Sequence, residues 1–233
     1  MLHAMTPGAG LTSNIVSWSI AAEWWVYAVA PLLIPILRPR RPVAGVLCMV
    51  AGAFVLIGLY VAVGRHTLDI TFDFGVIRCF GGFLIGLGLY RLQRSALPLS
   101  PAVTDGLALS ALAGIVVLMH LDANDLLIVP LFALLVLTGA SGQGRLNHAL
   151  ASAVPHCLGR ISYSIYLVHG LVFMLFWFGA PALGLSFQTP LAAGAFALAF
   201  LAVTLVGAAL AYRFVEVPAQ GLGHRSIHRG PTY

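Results

Sequence analysis

The feature that most constrains this chain is the recurrence of long apolar runs with scarcely a charge inside them. Bounded by charges, Gly and Pro, they number about seven: approximately Ile15–Leu37, Val43–Val63, Phe74–Tyr90, Ala102–His120, Leu126–Ala140, Ile161–Gly179 and Pro190–Phe214. A helix needs about twenty apolar residues to cross a hydrocarbon core of roughly 30 Å. Lipid offers no hydrogen bonds, so a spanning segment must satisfy its own backbone as a helix or close into a barrel. A barrel would show alternating segments of about ten residues, and none occurs here. Only 8% of the 233 residues are charged and 60% are hydrophobic, where a soluble domain carries roughly 25% charged residues. The expected fold is therefore all-α, a polytopic transmembrane helical bundle of about seven spans whose first partner is the lipid bilayer. The fifth run is short and contains Pro130.

Loop charges test this count. The net charge is +5 and all twelve basic residues are Arg. Such an excess can mark a nucleic-acid partner, but its distribution explains it better. Arg38, Arg40 and Arg41 follow the first run, Arg91 and Arg94 the third, Arg145 and Arg160 the fifth, and Arg213, Arg225 and Arg229 the last. The intervening loops hold Arg65 with Asp69 and Asp73, then Asp122 and Asp125, then no charge. Arg on alternate loops obeys the positive-inside rule if those loops are cytoplasmic. No nucleic-acid partner is expected. The C-terminus then lies in the cytoplasm and the start of the chain outside. No cleavable signal peptide precedes the first run, so the expectation is that an upstream portion with an odd number of spans once preceded Met1. Residues 1–219 read as one membrane domain and 220–233, rich in Gly, His and Arg, as a cytoplasmic tail.

Few residues inside the runs can carry chemistry. Glu23 costs about 3 kcal/mol on insertion scales, which makes it a functional-site candidate by default. Ser19, Glu23 and Tyr27 recur every fourth residue and share a helix face, with Trp18 and Trp25 on an adjoining one. Arg78 lies near the outer end of the third run, and Ser162, Tyr166 and His169 form a second polar stripe. From helix rise, Glu23 lies about 12 Å and His169 about 13 Å into their spans, approaching the midplane from opposite sides. Each has a plainer reading. Glu23 and the His169 stripe can serve as interhelical hydrogen-bond partners. Arg78 can snorkel, and the Trp residues can form an aromatic belt. Gly82 and Gly86 suggest close helix packing. Cys48, Cys79 and Cys157 have no metal-like spacing and read as packing residues, with no metal site expected. These residues alone leave an enzyme and a transporter level.

Four stretches carry a resemblance. Trp18-Ser19-Ile20-Ala21-Ala22-Glu23, followed by Tyr27 and Pro31, resembles the Trp-Ser-Leu-Ser-x-Glu…Tyr…Pro signature of the acyltransferase-3 family of O-antigen acetylase type. Arg78 through Gly86 is similar to its Arg-x-x-x-x-Phe-x-x-Gly helix. Leu158 through His169 is similar to its Leu-Gly-x-x-Ser-Tyr-x-x-Tyr-x-x-His motif. Arg213-Phe214-Val215-Glu216-Val217-Pro218 resembles its closing Glu-x-Pro. The four occur in the family's order over nearly the whole chain.

The resemblance implies a bacterial inner-membrane enzyme. It would transfer an acyl group, commonly acetyl from acetyl-CoA, to a hydroxyl of a cell-envelope glycan or small hydroxylated acceptor. Acyl-CoA would be a co-substrate, with no tightly bound cofactor. Glu23 and Arg78 would be catalytic, and Trp18, Ser19, Tyr27, Tyr166 and His169 would contact substrate. The resemblance also implies about ten spans and a catalytic histidine in the first of them. That histidine has no match here, since His3 precedes any apolar run. The chain is then expected to be a fragment, an inactive paralogue, or half of a split enzyme whose missing spans come from a separate chain. A proton-coupled transporter and a non-catalytic membrane partner are the competing classes.

Overall fold

The computed structural model describes residues 17–33, 42–64, 67–70, 74–93, 99–182 and 189–221. Among them there is no strand; the chain is all-α. In order the helices are α1 Ser17–Leu33, α2 Pro42–Val63, α3 Gly75–Gln93, α4 Pro101–His120, α5 Asp125–Ala140, α6 Arg145–Leu150, α7 Ala153–Arg160, α8 Ser162–Ala182 and α9 Pro190–Ala211, followed by a π-helical turn at Tyr212–Glu216. Several starts are dictated locally. Ser100 and Thr189 each accept a hydrogen bond from a backbone amide of the first turn, with Pro in the next position. A proline there sacrifices no helical bond and its fixed φ already suits the helix.

Five helices among the described residues are long and apolar enough to cross a membrane: Val43–Val63, Gly75–Gln93, Pro101–His120, Ser162–Gly179 and Pro190–Gly221. The first and fifth expected spans appear as shorter apolar helices, Ser19–Leu33 and Asp125–Ala140. At 1.5 Å per residue, the 16 residues of α5 extend about 24 Å, short of a hydrocarbon core of roughly 30 Å. The loop between the fifth and sixth expected spans folds into α6 and α7, which periodicity did not reveal.

The described residues divide into two compact units, one within Trp18–Ser152 and the other from Ala153 onward. In the first, α2 and α3 pack at backbone distance. A Cβ on Gly52 would sit 2.6 Å from the Gly81 carbonyl oxygen, and one on Gly88 would sit 2.5 Å from that of Gly45. Each helix spaces its two glycines seven residues apart, two turns on one face, so the antiparallel pairs Gly45/Gly88 and Gly52/Gly81 meet in register. The expected Gly82/Gly86 face is not the packed one, since a Cβ at either position meets nothing within 4 Å. In α4, Thr104, Ala108, Ala111 and Ile115 form the buried stripe. Leu131 of α5 lies against Gly114. Asp105 of α4 accepts from the Arg145 and Leu146 amides at 2.8 and 3.1 Å, binding the start of α6.

In the second unit α8 and α9 run antiparallel. Val168 approaches Gly207, and Phe176 packs edge-on against Phe196 and Phe200 with ring centroids 5.0 and 5.9 Å apart. Val172, Thr204 and Ala208 are buried. Of the three cysteines, Cys48 and Cys79 are half-buried as packing residues would be, while Cys157 on α7 is exposed. No residue of α7 is buried, so there is no core for it to fill.

Candidate functional site

Within α1 the buried side is Ala21, Ala22 and Val26. Small residues there leave the opposite face to carry the polar stripe. The backbone periodicity places Glu23 and Tyr27 one turn apart on that face, both exposed. The Tyr27 hydroxyl and the Glu23 carboxylate lie close enough to interact electrostatically. Ser19, one turn earlier, is half-buried. Trp24 and Trp25 stack edge to face at 5.1 Å, and among the described residues the buried Trp25 indole nitrogen has no hydrogen-bond partner. The Trp18 side chain lies outside the described residues.

Arg78 occupies the first turn of α3, its amide bonded to the Phe74 carbonyl at 3.1 Å. It is half-buried and its Nη1 donates to the Leu68 carbonyl at 2.8 Å. An arginine merely reaching for the interface needs no such acceptor; this one is tied to a specific backbone oxygen. Cys79, its neighbour in sequence, lies in electrostatic range of both the Arg78 guanidinium and the Glu23 carboxylate. The first two motifs, distant in sequence, therefore lie in the same unit.

The second unit assembles the two later motifs. Tyr166 and His169 are neighbours on α8, ring centroids 5.5 Å apart. The His169 Nδ1 lies 3.3 Å from the Ile165 carbonyl one turn earlier. A bond to that acceptor requires the proton on Nδ1 and leaves Nε2 as the basic nitrogen. Ser162, the third residue of the expected stripe, is exposed at the start of α8. Ser164 takes the more consequential place. It is 3% exposed, and its hydroxyl donates to Glu216 Oε2 at 2.7 Å. Gln220 donates to Glu216 Oε1 at 3.2 Å. One turn below, Arg160 Nη2 lies 3.1 Å from the Tyr212 hydroxyl, with its guanidinium 5.7 Å from the Tyr212 ring centroid. That hydroxyl raises the arginine's pKa above its ordinary value. Tyr212 and Glu216 are the two ends of the π-helical turn, so the widened turn presents both to α7 and α8.

Sequence reasoning assigned no role to Ser164 or Glu216, although both stand inside the motifs that carried the resemblance. A serine two places past Ser162 lies off the every-fourth-residue stripe, and only the π turn brings Glu216 to it. Glu23 belongs to the first unit and His169 to the second. An apolar groove of about 500 Å³ runs between α2, α3 and α5, lined by Met49, Ile85, Val129, Pro130 and their neighbours. It offers no polar side chain and contains none of the candidate residues.

The sequence model of a family described as an acyltransferase domain matches residues 2–213. No curated protein and no solved structure matches the chain.

Proposed function

Since this chain belongs to the acyltransferase-3 family, we propose that it acts as a membrane O-acyltransferase. It would move an acyl group, most simply acetyl, from acyl-CoA to a hydroxyl of a cell-envelope glycan or small extracytoplasmic acceptor. In this reading the chain sits in a bacterial inner membrane in seven spans, with α1 and α5 crossing alongside the five longer helices and the C-terminus in the cytoplasm. The observation that carries the reading is the family match over residues 2–213, which takes in the first three motifs and with them Glu23, Arg78 and His169.

The chemistry follows from what such groups can do. Acceptor oxygen attacks the thioester carbonyl while a base takes its proton. A tetrahedral intermediate forms, the carbon–sulfur bond breaks, and the CoA thiolate leaves to collect a proton. Glu23 binds the acceptor hydroxyls or orients the base, and Tyr27 fixes its carboxylate. Arg78 stabilises the developing oxyanion, because a preorganised cation in a medium of low dielectric needs no reorganisation when charge appears. Trp18 and Ser19 line the acceptor side. Tyr166 and His169 contact substrate, with His169 Nε2 as an acceptor for a hydroxyl.

The test is transfer of radiolabelled acetyl from acetyl-CoA to an envelope polysaccharide by the chain in proteoliposomes. It is run alone and with membranes of a strain lacking its gene, so that any further chain the reaction requires is supplied. Glu23→Gln at normal membrane levels should lose about 10²–10⁴-fold in rate, the usual worth of positioned acid–base groups. Wild-type transfer by that variant would remove Glu23 from the mechanism. Proton-coupled uptake without acyl-CoA would replace the enzyme reading by transport.

A further inference from the structure

The segment 67–70 joins α2 to α3 and is gripped from two sides. One oxygen of Asp125, Oδ2, accepts both the Thr67 hydroxyl and the Leu68 amide at 2.6 Å. The Thr67 hydroxyl oxygen in turn accepts the Asp69 amide at 2.9 Å. The Leu68 carbonyl accepts the Ile70 amide at 2.8 Å, a tight three-residue turn, and it accepts Arg78 Nη1 at 2.8 Å. Leu68 and Ile70 are 8% and 2% exposed, so their side chains anchor the turn in the unit. A single residue, Leu68, thus connects the Asp125 carboxylate through its amide to the Arg78 guanidinium through its carbonyl.

In the first turn of α5 the Asp125 carboxylate suits the helix dipole, as any acidic residue there would. It opens α5, but the cap of that helix is supplied by Asn124, whose Oδ1 accepts the Leu126 amide at 2.9 Å. Nor is it needed to tether α5 to α2, because Asn124 Nδ2 donates to the Tyr60 hydroxyl at 2.7 Å. What Asp125 alone supplies is the doubly donated oxygen that fixes Thr67 and Leu68. A charged acceptor makes shorter and stronger hydrogen bonds than a neutral one, and both contacts are short.

We propose that Asp125 is a positioning residue for Arg78, fixing the Leu68 carbonyl to which the guanidinium donates. The proposal rests on the reading that Arg78 stabilises charge in acyl transfer. It adds a residue outside all four motifs to the machinery. Positioning by a supporting shell decides whether a charged group stands where charge develops, and loss of about 1 Å in such placement can cost on the order of 100-fold in rate.

The test uses the full chain in proteoliposomes and two readouts. The first is labelling of Arg78 by phenylglyoxal, read by peptide mass spectrometry with Arg145 as internal reference. Asp125→Ala should raise Arg78 labelling about tenfold, Thr67→Val about threefold, and Asp125→Asn less than twofold, since the amide oxygen keeps an acceptor in place. Unchanged labelling in Asp125→Ala overturns the positioning, whether or not the chain transfers acyl groups. The second is acetyl transfer. Asp125→Ala should lower kcat at least tenfold with KM for acetyl-CoA within twofold, and Asp125→Asn should restore kcat to within threefold of wild type. In an Arg78→Lys background Asp125→Ala should cost no more than a further twofold. Losses that multiply in both backgrounds, or a kcat that stays at the wild-type value while labelling rises, make Asp125 a structural staple and overturn the proposal. A wild-type chain without transfer sinks the enzyme reading and leaves the labelling result to decide the positioning.

Discussion

The backbone contact between α2 and α3 gives a prediction whose size can be worked from the coordinates. Substituting Gly52 by Ala places a Cβ 2.6 Å from the Gly81 carbonyl oxygen, with the Ile85 amide nitrogen at 3.0 Å. Ordinary contact begins at 3.4 Å, so the methyl falls about 0.8 Å short of its room. Neither neighbour is the free end of a flexible side chain, and the helices must separate or shift. Overpacking of that kind costs about 1–3 kcal/mol. Against it stands the intrinsic gain of Ala over Gly in a helix, up to about 1 kcal/mol. The control is Gly82→Ala on α3, where the added methyl meets nothing within 4 Å. The propensity gain is common to both variants, so their difference isolates the clash. Gly52→Ala should be less stable than Gly82→Ala by about 1–3 kcal/mol. At roughly 2–4 °C per kcal/mol for a chain of this size, the gap in Tm is about 2–12 °C. Thermal unfolding of wild type and both variants in one detergent measures it. If Gly52→Ala melts with or above Gly82→Ala, the glycines do not hold the two backbones together and the packing argument fails.

Gly144 has φ +95° and its Cβ would run into the Asp105 carboxylate, whereas Gly142 has φ +67° and open space around it. Gly142→Ala carries the positive-φ penalty of about 1–2 kcal/mol, but Gly144, at φ 95° and ψ 162°, lies in a region essentially open to Gly alone. Its Ala variant should cost at least about 1 kcal/mol more because it adds that strain to displacement of the acceptor of the α6 amides, a ranking that thermal unfolding of the pair decides. Ser164→Ala removes the buried hydroxyl that donates to Glu216 and should destabilise by roughly 1–2 kcal/mol. Glu216→Gln, which can still accept that bond, should cost less, and equal stability of Ser164→Ala and wild type would rule the clasp unimportant. The Arg160–Tyr212 contact should be insensitive to pH. Its arginine pKa is raised on folding, so its contribution is complete below the unfolded-state value and is lost only as pH climbs through the folded one, far above assay conditions. The Tm difference between wild type and Tyr212→Phe should therefore be the same at pH 6 and pH 9.

The sequence by itself determined the class of the molecule and the residues worth watching. Apolar runs too long and too bare of charge for a soluble core admit only helices in lipid. Ser100-Pro101 and Thr189-Pro190 mark helix starts by local chemistry alone, and the motifs around Glu23, Arg78 and His169 identify the family that the match over residues 2–213 shows. The shared face of Glu23 and Tyr27 and the Tyr166–His169 contact were legible because each pair is one turn apart on a single helix, and helical geometry is local. Which face of each helix points inward was not legible. A span apolar all round has no amphipathic stripe to read, and lipid is as apolar as the core it surrounds. Gly82 and Gly86 therefore looked as good as Gly81 and Gly88, and only the register of α2 against α3 chose between them. The links from Asp125 through Leu68 to Arg78 and from Ser164 to Glu216 belong to the same category. They join residues far apart in the chain through backbone groups and a π turn, which no spacing rule encodes and which only the tertiary structure brings within hydrogen-bond distance.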